Sequence, residues 1–508
     1  MLRSVLVLFF CVFATFKSSA QKIDFKLQDY QLTDVKFRSF NNSLSAYSIG
    51  ESNSNLSADT LLNSSSHTSF NYSANVKMYT NTRQRQSLLL VNGQTYGHRL
   101  NNDQLDKTVK TRQYTWNISS SASYNNRFYV RPLLFIELEP TFLYTFYQNN
   151  TLSQSKSGDI KEQYTENRPY YDFRLPLKIG YGRLERVEDA RQALFLVQQL
   201  KKSKRLSRDL SKQDMIELSS FVSKLRNKRF FDDRLQRIYQ LKMIDSFYRA
   251  NNYSEVLDAT YYTTTMDYWM FGGTPIRNNG ARVSLAVYRG IGQEKQDRTE
   301  SGTSTYFKRS TAASINQMFF GPEYIVDKPI SEAWQSTTSI RVYKGDRSTN
   351  NVSTFLGYDS YDTLNIKGSQ LHLSQTIGYY PTTRTWLRIT QQFSVSRLKV
   401  DAIEHGLIEP PFKVLDDSPF QHSVYTIDVD YNYYISPRFR FNFNMNYTHE
   451  RIPDLRSDEF IKRYVTGRAI PESVLDGSGD LNPVLNYYRL NGKNNQFNLS
   501  LRITYALF

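Results

Sequence analysis

Strict two-residue alternation is the feature that most narrows what this chain can become, and it is cleanest at the C-terminus. Phe497, Leu499, Leu501, Ile503 and Tyr505 alternate with Asn498, Ser500, Arg502, Thr504 and Ala506, and the sequence ends on Phe508. Such a period sets apolar side chains on one face of a strand and mostly polar ones on the other. It recurs upstream. Leu134, Ile136, Leu138, Phe142, Tyr144 and Phe146 share one face, with Glu137 and Glu139 opposite. Tyr171, Phe173, Leu175, Leu177, Ile179 and Tyr181 share another, with Asp172, Arg174 and Lys178 opposite. A soluble sandwich and a slanted transmembrane strand of about ten residues both show this pattern.

Composition favours the membrane. The chain has no apolar run of about eighteen residues beyond its N-terminus, so no helical span is available, yet it holds 37 Tyr and 32 Phe. A barrel hides its lipid face in every second residue, so its average looks soluble, and interfacial girdles raise the aromatic content. The reading is therefore all-β transmembrane: a closed antiparallel outer-membrane β-barrel of about fourteen strands, within a range of twelve to sixteen. A charge facing lipid at the midplane costs about 2–4 kcal/mol, so the apolar faces must point out. That assigns Glu137, Glu139, Asp172, Arg174, Lys178, Asp428, Asp430, Arg438 and Arg440 to the lumen. There they either tune permeation as charged rings or pair and plug.

Tight joints are expected at 125–127, 381–384 and 436–437, and long ones near 148–168, 398–420 and 449–495. Short turns on the periplasmic side and long loops outside fit a bacterial barrel. The N-terminus reads as a cleaved secretory signal over residues 1–20: Arg3, an apolar run from Val5 to Phe16, then Ser18-Ser19-Ala20. Cys11, the single cysteine, lies within it, so disulfide and thiol chemistry are not expected of the mature chain. Residues 21–66 read as a flexible Ser/Asn-rich segment, followed by barrel strands over 67–182.

From 183 to 255 the period changes to helical. Val187, Ala190, Leu194, Val197 and Leu200 form one stripe; Met215, Leu218, Val222 and Leu225 a second; Leu235, Ile238, Leu241, Ile244 and Tyr248 a third. The expectation is a three-helix periplasmic insert, with barrel strands resuming over 256–508, first at Leu257, Ala259 and Tyr261 through Trp269 and Phe271. From Arg183 to Glu255 there are 17 Lys/Arg against 10 Asp/Glu. Lys201, Lys202, Lys204, Arg205 and Arg208 form the densest run, a candidate docking patch beside the bland reading of a solvated surface.

Two resemblances go with these residues. Phe497, Leu499, Leu501, Ile503, Tyr505 and Phe508 resemble the β-signal by which outer-membrane barrels are recognised for assembly, with Phe508 one residue out of phase. Gly180-Tyr181-Gly182-Arg183-Leu184-Glu185-Arg186-Val187-Glu188-Asp189-Ala190 and the basic helices after it resemble an insert of Bacteroidetes-type outer-membrane β-barrel proteins, a family from which no catalytic or binding residue is carried over. Location in the outer membrane of a Gram-negative bacterium follows from the signal and the barrel. The expected partners are outer-membrane lipid, the barrel-assembly machinery and a periplasmic protein or the cell wall, but no nucleic acid. The expected function is porin-like passage of small solutes, or else a structural role exerted through the insert. An outer-membrane hydrolase is a minor alternative. The six His at 67, 98, 372, 405, 422 and 449 show no metal-ligand spacing, and no nucleophile elbow or phosphate loop is present, so neither enzyme activity, metal nor cofactor is expected.

Overall fold

The computed structural model describes residues 25–32, 34–55, 60–104, 109–155, 161–228, 233–254, 258–271, 276–302, 306–355, 358–406, 412–414, 420–435, 439–452 and 492–505. The signal segment, Arg438 and Phe508 lie outside these residues.

One antiparallel sheet of sixteen strands accounts for most of the chain. Its first half comprises β1 (Val35–Asn55), β2 (Thr60–Asn81), β3 (Arg85–Gln104), β4 (Val109–Tyr129), β5 (Leu134–Leu138), β6 (Thr141–Ser155) and β7 (Lys161–Arg186). The second comprises β8 (Asn278–Ser301), β9 (Tyr306–Pro329), β10 (Trp334–Phe355), β11 (Tyr358–Tyr379), β12 (Thr385–Gly406), β13 (Phe412–Val414), β14 (Phe420–Tyr434), β15 (Phe439–Ile452) and β16 (Gly492–Tyr505). Neighbours in sequence pair in order. β5 and β6 share one place between β4 and β7, because Pro140 has no N–H to give the ladder. β13 and β14 both pair with β12. The segments thus fill fourteen places across the sheet.

Most strands run 20 residues or more. At about 3.3 Å per residue and a slant near 45°, 22 residues rise about 50 Å, well past the ~30 Å of a hydrocarbon core. That excess corrects three expectations. Within the segment read as flexible, residues 41–55 and 60–66 lie in β1 and β2, paired by a ladder with one register shift and by hydroxyl pairs such as Ser43 Oγ with Ser73 Oγ at 2.7 Å. The outward face of β1 carries Phe40 and Leu44 but is interrupted by Asn42 and Ser48, so its alternation is too sparse to betray a strand. Residues 148–168 are mostly ladder between β6 and β7, not loop. Residues 125–127 lie inside β4, and the turn comes at 130–133. The tight turn expected at 381–384 does fall between β11 and β12, while the one expected at 436–437 lies outside the described residues.

The outward face carries an apolar band. Leu285 is 60% exposed, Ile179 58%, Leu501 61%, while inward neighbours Glu137 and Ala286 are 0%. Phe497, Leu499 and Leu501 of the last strand sit on that band, opposite Tyr447, Met445 and Phe443 of β15. The side chains of Ile503 and Tyr505 are not among those described. Leu501→Arg is expected to cost about 2–4 kcal/mol in refolding titrations into lipid vesicles, and Ser500→Arg, on the other face, less than about 1 kcal/mol. Equal losses would remove the two-faced reading.

Between β7 and β8 lie four helices: α1 (Glu188–Lys202), α2 (Lys212–Arg226), α3 (Asp233–Ala250) and α4 (Ala259–Phe271). The three-helix expectation ended one helix short. Tyr261, Thr265 and Trp269 are buried at i, i+4 and i+8, a helical stripe hidden in the β-prone composition Tyr-Tyr-Thr-Thr-Thr. The helices share an apolar core of Ala190, Leu194, Leu218, Val222, Tyr248 and Tyr261, joined by Phe25, Leu27 and Tyr30 from the N-terminal segment. No helix among the described residues is long and apolar enough to cross a membrane.

Candidate functional site: a charged cavity and the helices at its mouth

Inward side chains of the strands converge on a cavity of about 740 Å³. Its wall takes Arg174 and Lys178 from β7, Arg282 and Tyr288 from β8, and Gln317 from β9. Arg341, Tyr343 and Arg347 from β10, His372 from β11, Ser394 from β12 and Thr426 from β14 also line it. In a flat sheet β7 and β14 would lie about 30 Å apart at the ~4.8 Å strand spacing. One cavity touched by both requires the sheet to curl around it.

Below the cavity, toward the short turns, the wall of β4 to β10 is a dense charge network. Glu137 Oε2 accepts from Arg127 Nη2 at 2.6 Å and from Arg282 Nη1 at 3.3 Å, and Asn125 Nδ2 donates to Oε1 at 2.8 Å. Lys178 Nζ reaches Glu139 at 2.9 Å and Glu323 at 3.1 Å. Tyr288 and Tyr343 each donate a hydroxyl to Glu323. Arg127 also donates to Gln86 Oε1 at 3.0 Å, which ties in β3. A carboxylate as buried as Glu137 is tolerated only when paired and hydrogen-bonded, and here it has three donors.

Glu137, Glu139, Asp172, Arg174 and Lys178, expected in the lumen, lie on the sheet face opposite the exposed Ile136, Leu138, Phe173, Leu177 and Ile179. Glu137, Glu139 and Lys178 join the network, and Arg174 pairs with Asp172 at 2.6 Å. Asp430 and Arg440 lie on another part of the wall. Asp430 pairs with Arg388 at 3.2 Å, and Arg440 donates to the fully buried Asn432. Asp428 is also inward, opposite Thr390 and Asn446, away from the cluster. Arg127, Arg282, Glu323, Tyr288, Tyr343, Arg341 and Arg347 were missed. Arg282 was legible, since it precedes the alternating Val283, Leu285 and Val287; Arg127 was hidden by reading 125–127 as a turn.

The helices lie at the short-turn end. Arg186, just before α1, packs over the Tyr79 ring of β2 at 4.8 Å, and Arg191 within α1 lies over Tyr380, next to β11, at 5.5 Å. β2 and β11 are eight places apart in the sheet, about 38 Å if it were flat. Five residues of chain reach both, so the sheet curls until these two strand ends lie close together, with the start of α1 between them. Tyr380 is also covered by Arg277 at 5.3 Å, and Arg277 donates to the carbonyls of Ser331 and Trp334 at 2.9 Å each. The Tyr380 ring folds back over Gly378, where an added Cβ would lie 2.2 Å from its hydroxyl. Gln198 donates to Glu332 at 2.6 Å, Gln28 to the Pro329 carbonyl at 3.0 Å, and Arg384 pairs with Asp267 of α4. The turns after β9 and β11 are thereby fastened to the helices.

The expected docking patch is largely spent on internal structure. Lys201 pairs with Asp209, Arg205 with Asp258 and Arg208 with Asp214, at 2.6, 2.6 and 2.7 Å. Lys202 and Lys204 remain on the surface, and Lys204 takes a positive φ of 56° where α1 ends. Asp214 closes a capping box with Ser211 at the start of α2. The Arg208 guanidinium, the Ser211 N–H and hydroxyl and the Tyr253 hydroxyl hold its carboxyl well below the usual range. A depressed carboxyl stabilises the fold above its unfolded pKa near 3.9 and ceases to do so as pH falls through the lower folded value. Asp214→Ala should lower bundle stability by about 1 kcal/mol at pH 7 in circular-dichroism melts, and the gap to the parent should narrow below about pH 4.

No family model and no curated protein matches the chain. Among solved structures, the CymD monoaromatic hydrocarbon channel aligns over 84% of this chain and 85% of its own, with 10% identity and a TM-score of 0.25. The toluene transporter TodX of Pseudomonas putida aligns over 81% and 83%, with 6% identity and a TM-score of 0.26. The ferric yersiniabactin uptake receptor FyuA of Yersinia pestis aligns over 84% of this chain and 62% of its own, with 7% identity and a TM-score of 0.31. Likeness this loose carries no function across, and the residues alone must supply one.

Proposed function

We propose that the chain is an outer-membrane β-barrel that admits small solutes into an outward-facing cavity and is shut at its periplasmic mouth by the helices. One observation supports the reading: a polar cavity walled by strands from β7 to β14, with Arg186 and Arg191 at the start of α1 reaching Tyr79 and Tyr380 at the short-turn end. The apolar outward band supplies the lipid face, and the paired interior charges keep the network neutral while Arg341 and Arg347 reach the cavity. A purely structural role through the basic patch is less well supported, because three of its five cations are ion-paired within the insert.

Orientation is the first thing to test. The only cysteine is Cys11, so single cysteines report cleanly. With a membrane-impermeant maleimide on intact cells, Ser394→Cys in the cavity should label, and Lys202→Cys on the helices should label only after the outer membrane is permeabilised. The reverse pattern would invert the molecule and end this reading.

A further inference from the structure

The ladder register aligns a set of outward residues on β8 to β12, of which Arg289 alone also borders the cavity. One row runs Arg289, Met318, Asp346, Lys367 and Lys399. The next, two residues nearer the short turns on each strand, runs Val287, Phe320, Lys344, Ser369 and Arg397. All share the parity of the outward apolar residues: Arg289 lies between Val287 and Ile291, Lys344 follows Val342, and Arg397 follows Val395, the ladder partner of Leu371. Neighbouring strands are about 5 Å apart and same-face residues about 7 Å apart along a strand. Five cations therefore stand within a patch about 20 Å wide, with Asp346 as its one acid.

Position gives the patch its meaning. On β10 to β12 it begins where the apolar band ends, directly above Val342, Leu371 and Val395, at the edge farther from the helices. The opposite edge over the same strands is built differently. The Trp334 ring lies 4.4 Å from that of Tyr379, tilted by 32°, with Lys328 on the neighbouring β9. An apolar belt topped on one side by cations fits a lipid whose acyl chains cover Val342 and Leu371 while its anionic headgroup meets Lys344, Arg397 and their neighbours.

We infer that this patch binds the phosphorylated glycolipid of the outer leaflet, with phosphate held by Lys344, Lys367, Arg397 and Lys399. The inference rests on the outward orientation proposed above, because the patch meets that leaflet only if the helices are periplasmic.

The test uses the full mature chain in detergent, with bisphosphorylated lipid A and phosphatidylglycerol as probes and native mass spectrometry as the readout. The parent should retain lipid A through gas-phase activation that strips phosphatidylglycerol. Lys344→Gln/Arg397→Gln/Lys399→Gln should lower that retention at least tenfold while remaining heat-modifiable on gels. Ser369→Asp, which sets a negative charge between Lys344 and Arg397, should weaken it independently. Equal retention of both lipids, or unchanged lipid A retention in both variants, would overturn the site. Failure of the orientation proposal shows elsewhere, as cysteine labelling of the helices on intact cells.

Discussion

Glu137→Ala is expected to destabilise the folded protein by about 3–5 kcal/mol, the largest effect foreseen for a single substitution here. The residue is fully buried and accepts from Arg127, Arg282 and Asn125. Its removal leaves Arg127, itself 6% exposed, with neutral partners such as Gln86 in place of a carboxylate, and it exposes Lys178 to the positive field of Arg282. The cost is that of cations stranded in a poorly hydrated wall, not of a lost bond alone. Glu137→Gln keeps the shape and two hydrogen-bonding atoms but loses the charge, and should fall between the parent and the alanine variant. Urea titration of protein refolded into short-chain lipid vesicles would rank the three. A loss below about 1 kcal/mol for the alanine variant would mean that water reaches Glu137 and the network is not sealed.

Excising the helices is the largest change the fold should survive. β7 and β8 pair continuously from Gln163 with Ser301 to Asn167 with Asp297, and from Tyr170 with Glu294 to Arg186 with Asn278, so their ladder does not need the helices to set its register. Replacing residues 188–276 with a short Gly-Asn turn should yield a sheet that still migrates anomalously on unheated gels. The loss falls instead on Tyr380, Arg384, Glu332 and Pro329, which lose Arg191, Asp267, Gln198 and, through displacement of the N-terminal segment, Gln28. Those turns should then become sites of proteolysis that the parent protects.

Much of this was legible in the sequence. Period-two stripes such as Leu175-Leu177-Ile179 revealed lipid-facing strands, and the charges opposite them gave Lys178 and Glu137 their place. Legibility failed where the apolar face of a strand is sparse. In Ser/Asn-rich β1 only Phe40, Leu44 and Ala46 continue the apolar face of β2, too few to signal a strand without the ladder. It failed again at α4, where Tyr and Thr carry a helical stripe in residues that usually signal strands. The charge network was half visible, because Glu323 and Tyr343 sit on strands with weak alternation and join Lys178 only through the curl of the sheet. The fastening of Tyr380 between Arg191 and Arg277 joins residues almost two hundred positions apart and has no local signal at all.

Single-channel conductance in a planar bilayer, compared before and after excision of residues 188–276, tests the central claim most directly. The full chain should be silent or flicker briefly if the helices that follow Arg186, which reaches Tyr79, and include Arg191, which reaches Tyr380, shut the proposed periplasmic mouth. The excised chain should give long-lived open steps. A parent already open to the same conductance, or an excised chain that inserts and stays silent, would contradict a solute pathway shut by its helices.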